Sequence, residues 1–321
     1  MRITLVSPSL DASTGNARTA QRWAQLLGEL GHAVHTELSR PLITPNDPPR
    51  DGDLLVAIHA RKSAAEIEAW HIHRPDAPIV LLLAGTDLYD DLPGDPDARR
   101  SLSRASRLIV LHPHAVEDLP NEYRDRTVYL PQSITPPSQL PPRPSDRFLV
   151  LVASNLREVK DPLRTREALD RLPAESQIEV DHIGVALDEA YRTELERRPH
   201  PKYHYLGPVD PEEALLRIAG AHVLSITSRL EGGANVVSES IVLGTPVIAS
   251  RIAGSVGLLG DHYPGFFDVG DTVGLAHLLT RVESEPTFYR SLQKHLESRA
   301  PEFHPDIERE RWRALLAAWE E

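Results

Sequence analysis

Residues 225–250 read Ser-Ile-Thr-Ser-Arg-Leu-Glu-Gly-Gly-Ala-Asn-Val-Val-Ser-Glu-Ser-Ile-Val-Leu-Gly-Thr-Pro-Val-Ile-Ala-Ser. Seven residues separate Glu231 from Glu239, Gly232, Gly233 and Ala234 among them. Leu224 and Ile226 belong to a short apolar strand, and Asn235 is placed to cap a helix over Val236–Leu243. Gly244 supplies a left-handed stop, and Pro246–Ala249 begins the next buried strand. A small-residue loop that feeds a helix N-terminus leaves backbone N–H groups free to meet a diphosphate. Glu239, one turn into that helix, can offer its carboxylate to the two hydroxyls of a ribose. The plain alternative is a βαβ unit with solvated glutamates. It requires the spacing, the loop and the following Gly-Thr-Pro-Val-Ile-Ala-Ser to coincide by accident.

Working outward, the same rhythm fills the chain. Its 321 residues allow two domains of ordinary size. Strands are predicted at Ile3–Val6, Ala33–Thr36, Leu54–Ile58, Ile79–Leu83, Leu108–Leu111 and Val128–Leu130, with a first helix over Ala17–Leu30 stopped by Gly31. Five prolines in Pro136–Pro144 mark a stiff linker. Strands resume at Phe148–Ala153, Ile178–Ile183, Tyr203–Leu206, Val223–Ile226 and Pro246–Ala249. This alternation predicts an α/β fold of two doubly wound, Rossmann-like domains with parallel sheets across a cleft. The expected boundaries are 1–140 and 145–303. A terminal helix over 304–321 has an apolar face of Trp312, Leu315, Leu316 and Trp319.

Composition narrows the function. A net charge of −12 argues against nucleic acid as the main partner. No apolar run approaches the ~20 residues of a membrane span. The chain enters a strand at once, with no basic segment or cleavage site ahead of it, so a cytoplasmic location is expected. With no cysteine, thiolate metal sites and disulfides are excluded. His71-Ile72-His73 lacks further ligands nearby and is read as surface, so no metal and no cofactor is expected. Only Lys62, Lys160, Lys202 and Lys294 are lysines. Two of these four fall in the motifs below, where a compact ammonium suits a phosphate.

Three motifs end strands of the first half. In Ser13-Thr14-Gly15-Asn16-Ala17-Arg18, Gly15 and Asn16 occupy the turn that opens the first helix, where an anion or sugar can meet free N–H groups. Arg18 and Arg22 share a helix face. In His59-Ala60-Arg61-Lys62-Ser63, two cations and a hydroxyl form a trap for a tetrahedral anion, costly to build without a counter-charge. A solvated basic turn is the alternative, and His59 alone reads as a satisfied core histidine. In Gly85-Thr86-Asp87-Leu88-Tyr89-Asp90-Asp91-Leu92, Asp87 lies nearest the strand end. It is either a proton acceptor or an N-cap, and Asp90 and Asp91 read as turn carboxylates. His112-Pro113-His114 and Gln132-Ser133 also end strands there.

The glutamate motif and the repeated rhythm resemble the GT-B glycosyltransferases. In such enzymes an arginine and a lysine meet the donor diphosphate at the place of Asn155-Leu156-Arg157-Glu158-Val159-Lys160-Asp161-Pro162. Here Arg157 and Lys160 are only three apart, and either can be the phosphate ligand. Fixed cations stabilise the charge of a departing diphosphate without a metal ion. Gly232, Gly233, Ala234, Asn235 and Glu239 complete the expected UDP-sugar site. Glu231 is assigned to the sugar and to turnover, and Lys160 to both binding and catalysis. Ala253–Gly260 is expected to close over the donor, or else to be a flexible turn.

Several segments together are similar to a narrower group, the selenosugar synthases of selenoneine biosynthesis. They are Gly15–Ala20 with Arg22-Trp23, Ala57–Ala64, Gly85–Leu92, Leu156–Pro162, and Glu231–Glu239 with Gly257–Gly260. The resemblance implies that selenophosphate attacks the anomeric carbon of a UDP-sugar, most simply UDP-N-acetylglucosamine. UDP leaves, and phosphate is then lost from selenium. Gly15, Asn16, His59, Arg61, Lys62, Ser63 and Thr86 would bind the acceptor, and Asp87 or His112 would orient the water. An ordinary GT-B enzyme acting on a hydroxyl, and a UDP-sugar sensor without turnover, are the alternatives.

Overall fold

The computed structural model describes residues 1–11, 14–39, 47, 49, 51–92 and 94–320. Ser13, which opens the first motif, lies outside them. The chain divides into two compact units, Met1–Gln132 with Pro305–Glu321, and Ser133–His304.

The first unit holds six strands: β1 (Arg2–Ser7), β2 (Ala33–Leu38), β3 (Leu54–Ile58), β4 (Ile79–Leu82), β5 (Arg107–Val110) and β6 (Thr127–Tyr129). All pairings are parallel, in the order β2-β1-β3-β4-β5-β6. Every residue of β3 and β4 is buried. That is why these strands read as unbroken apolar runs, since helices cover both faces of a parallel sheet. Edge strand β2 alternates between exposed and half-buried residues. Connections leave β1 and β3, which are neighbours, toward opposite edges of the sheet. Such a reversal opens a crevice beyond the carboxyl ends of the two strands.

The second unit repeats the plan with β7 (Phe148–Ala153), β8 (Ile178–Ile183), β9 (Tyr203–Gly207), β10 (Val223–Ile226), β11 (Val247–Ser250) and β12 (Phe266–Phe267). These are again all parallel, in the order β12-β11-β10-β7-β8-β9. The reversal now lies between β7 and β10. The proline-rich segment packs on this unit: the Arg143 guanidinium donates to Tyr289 Oη at 3.1 Å and to the Gly244 carbonyl at 3.0 Å.

Local differences from the sequence reading have plain causes. The first helix spans Gly15–Glu29, because Thr14 caps it by accepting from the Ala17 N–H. Gly15 and Asn16 therefore form its first turn rather than the loop before it. Ala234, not Asn235, is the N-cap of the helix Asn235–Leu243, and no side chain caps it. Gly244 adopts the left-handed stop at φ 67°. Ala253–Leu259 is a helix rather than a flexible turn.

The helix Pro305–Leu316 joins the core of the first unit. Trp312 meets Trp23 edge to face at 4.9 Å. Fully buried Glu308 accepts from Trp23 Nε1 at 2.8 Å and from Arg22 Nε at 3.2 Å. Arg22 is thus spent on the terminal helix rather than on a ligand. No helix of the described residues is long and apolar enough to cross a membrane.

Candidate active site

The expected site residues of both units follow the carboxyl ends of strands, those of the second unit at its chain reversal and those of the first at and beside its own. In the second unit the contributors follow β7 and β10. After β7, Asn155 Oδ1 accepts from the Val185 N–H at 2.9 Å. Exposed Arg157 then precedes a single 3-10 turn over Glu158–Lys160. The turn ends at Asp161, a non-glycine residue held left-handed at φ 45°, ψ 54°. After β10, Thr227 and Ser228 lead into Glu231. The Lys160 ammonium forms an ion pair with Glu231 Oε1, which also accepts from Ser228 Oγ at 2.7 Å. The pair is only 18% and 13% exposed, so its charges are poorly screened by solvent.

The Glu231 backbone is pinned from behind. A Cβ placed on Gly254, in the helix Ala253–Leu259, would stand 2.3 Å from the Glu231 carbonyl oxygen. Only glycine permits that approach. Gly232 is buried and Gly233 takes φ 137°, and the chain then turns through Ala234 into Asn235–Leu243. Glu239 lies in that helix and is 1% exposed. Sequence reading brought Arg157, Lys160, Glu231 and the glycine loop to one strand-end region. It did not find Asp161, Thr227, Ser228 or Gly254, whose parts depend on partners distant in sequence.

In the first unit the contributors follow β1, β3 and β4. His59 ends β3 left-handed at φ 76° and is 1% exposed. Its Nε2 lies 3.1 Å from Thr86 Oγ1, and its Nδ1 accepts the Lys62 N–H at 3.4 Å. Burial is the main cause of its lowered pKa, partly opposed by the Asp87 carboxylate. Asp87 is fully buried. Its Oδ2 accepts from the Ala60 N–H at 2.9 Å, and its Oδ1 accepts from Gly85 and Leu88 N–H at 2.8 and 3.2 Å. A carboxylate committed to three backbone amides is not placed to take a substrate proton. The geometry corrects Asp87 from proton acceptor to an anchor for two strand-end loops.

His112 requires the same correction. It is fully buried, its Nδ1 accepts the Ala115 N–H at 3.2 Å, and its Nε2 lies 2.9 Å from Tyr89 Oη. Tyr89 in turn donates to Asp118 Oδ2 at 2.9 Å. With Nδ1 an acceptor, Nε2 carries the proton and donates to Tyr89, so no lone pair remains for a water. Desolvation holds the ring neutral, with a pKa lowered to about 4. Ser63 is also corrected: buried, it donates to the Ile58 carbonyl at 2.8 Å and meets Ser39 Oγ at 2.9 Å. Arg61 and Lys62 remain on the surface. The counter-charge for Arg61 comes from Asp91, whose Oδ1 lies 2.8 Å from Nε. From sequence alone Asp91 reads as a turn carboxylate.

Among the described residues, no group of three or more His, Asp or Glu side chains is placed to hold a metal ion.

The family model described as "Glycosyl transferases group 1" matches residues 138–302, within the second unit. No curated protein sequence matches the chain. Among solved structures, sucrose-phosphate synthase from Thermosynechococcus elongatus superposes with a TM-score of 0.78 at 17% identity, covering 99% of this chain and 100% of that one. HepE of Anabaena gives 0.76, also at 17% identity and with the same coverage. The trehalose 6-phosphate synthase of Burkholderia multivorans gives 0.71 at 12% identity, covering 99% and 96%. At these identities the likeness shows the fold, the GT-B architecture of two parallel six-stranded sheets with flanking helices. The family model spans more than half of the sequence, and the chain belongs to the glycosyl transferases of group 1.

Proposed function

We propose that this glycosyltransferase joins the selenium of selenophosphate to the anomeric carbon of a UDP-sugar, UDP-N-acetylglucosamine being the donor to test first. The observation that carries the reading is a pair of cationic strand ends. Lys160 beside Glu231 occupies the reversal of the second sheet, and Arg61 with Lys62 follows β3 at the reversal of the first. HepE has been captured with UDP and glucose and with UDP-glucose, which supports a UDP-sugar donor here. On this reading Arg157, Lys160 and the amides of Gly233–Asn235 take the diphosphate. Glu239 takes the ribose, and Glu231 the sugar. Arg61 and Lys62 take the acceptor anion, with Gly15, Asn16, His59 and Thr86 around it.

Selenium attacks C1 with its own electron pair to form the C–Se bond, and UDP departs with the pair of the broken C1–O bond. Lys160 neutralises the charge that develops on the diphosphate. Water then cleaves the phosphorus–selenium bond, releasing phosphate and a selenosugar. Selenium is nucleophilic without a general base, which agrees with the engaged Asp87 and His112. Transfer to a hydroxyl is the second reading. The Arg61–Asp91 pair favours it, because Asp91 already supplies one cation with its counter-charge.

Incubating the protein with UDP-N-acetylglucosamine, with and without selenophosphate, tests the proposal through release of UDP. Release only with selenophosphate supports it. Release with sugar or alcohol acceptors supports the second reading, and UDP-sugar binding without any release marks a sensor.

A further inference from the structure

We infer that Thr227 is a positioning residue that holds the Lys160 turn in its strained form and so places the ammonium for the donor diphosphate. This rests on the reading of Lys160 as a diphosphate ligand. The turn has an unfavourable end, because Asp161 sits left-handed, a region that a side chain disfavours. Something nearby has to hold it. Thr227, 3% exposed at the end of β10, shares its single hydroxyl proton between the Lys160 and Asp161 carbonyls, each at 2.9 Å. The Asp161 carboxylate grips Arg164 with both oxygens, at 3.0 and 3.3 Å. The Arg229 N–H closes the other side of the turn on the Val159 carbonyl at 2.8 Å.

The next residue, Ser228, donates to Glu231 Oε1 at 2.7 Å. Two consecutive hydroxyls therefore hold the two partners of the ion pair: Thr227 fixes the backbone behind Lys160, and Ser228 fixes the carboxylate of Glu231. Glu231 neutralises Lys160 in the structure. When a diphosphate arrives, the ammonium turns to it while the backbone stays in register. The Thr227 hydroxyl bonds backbone carbonyls rather than the ammonium or the Glu231 carboxylate, so on this inference its effect on a diphosphate passes through Lys160.

A double-mutant cycle read by UDP calorimetry tests this, with melting temperatures recorded for every variant. Thr227→Val keeps the shape and removes the proton. It should weaken UDP about five- to tenfold, the size of one lost buried hydrogen bond. Thr227→Ser should bind within about twofold of the parent. In a Lys160→Ala background, Thr227→Val should add less than about twofold, since residues acting through one contact are not additive. An equal loss in both backgrounds would make Thr227 merely structural and overturn the latch while leaving the donor reading intact. Unchanged UDP affinity in Lys160→Ala would overturn the donor reading and the latch together. If the valine variant does not fold, Thr227→Ala takes its place in the same cycle, with the same outcomes.

Discussion

Each unit has a single non-glycine residue in the left-handed region among the described residues: His59 at φ 76° in the first and Asp161 at φ 45° in the second. Asp161 directly follows Lys160, and His59 stands three residues before Lys62, each after a strand where the sheet reverses. The two turns are held by different means. In the first, the Asp87 carboxylate, fully buried, takes the Ala60, Gly85 and Leu88 amides. In the second, a neutral hydroxyl takes two carbonyls, and the charged groups are half-buried against each other. Three buried amides left without their acceptor are expensive, whereas a lost hydroxyl is modest. The first turn is therefore part of the fold's stability, and the second is where chemistry can be altered with the fold intact.

The largest stability effect expected of a single substitution breaks the first turn. Asp87→Ala would leave three amides without their acceptor and free His59 from its left-handed conformation. A loss on the order of 3–5 kcal/mol of unfolding free energy is expected in urea titration. A loss below about 1 kcal/mol would show that the carboxylate does not hold the two loops.

Acid tests both units at once. His112 in the first and His182 in the second are each fully buried, and desolvation lowers each pKa to about 4. An unfolded histidine titrates near 6.5, so between those values the unfolded chain binds more protons and stability rises with pH. The contribution is complete above about pH 6.5 and is lost as pH falls through 4, on the order of 3 kcal/mol per histidine. Unfolding free energies measured from pH 7 to 4 should decline accordingly. A flat profile would mean that water reaches both rings.

The smallest of these effects sharpens the second unit's role. Glu239→Ala should weaken UDP about tenfold, the value of a carboxylate that accepts from two ribose hydroxyls, with the melting transition preserved. Unchanged calorimetric affinity would remove Glu239 from the donor site.

The strands themselves were legible because apolar runs such as Leu54–Ile58 and Phe148–Ala153 are buried in the sheets and carry no polar interruption, whereas their order in each sheet came only from the structure. β12 was missed, being two residues long and paired only with Ala249 and Ser250. Gly244 was readable as a stop because the requirement is local. What escaped was every feature decided by a distant partner. Asp91 pairs with Arg61 thirty positions earlier, Thr227 reaches back to Lys160, and Glu308 closes on Trp23. Periodicity and spacing carry no record of such pairs. The same limit explains Asp87 and His112, chosen for their chemistry and found engaged within the protein.

The central claim is a division of labour: the donor nucleotide belongs to the second unit, and the acceptor anion to Arg61 and Lys62 of the first. An Arg61→Ala, Lys62→Ala double variant tests it most directly, assayed for selenophosphate-dependent UDP release and, in the same preparation, for UDP affinity. The account predicts unchanged affinity and a fall in turnover of at least ~100-fold, as two charge-assisted bonds are lost. Equal loss of UDP affinity, or full turnover with selenophosphate, would contradict it.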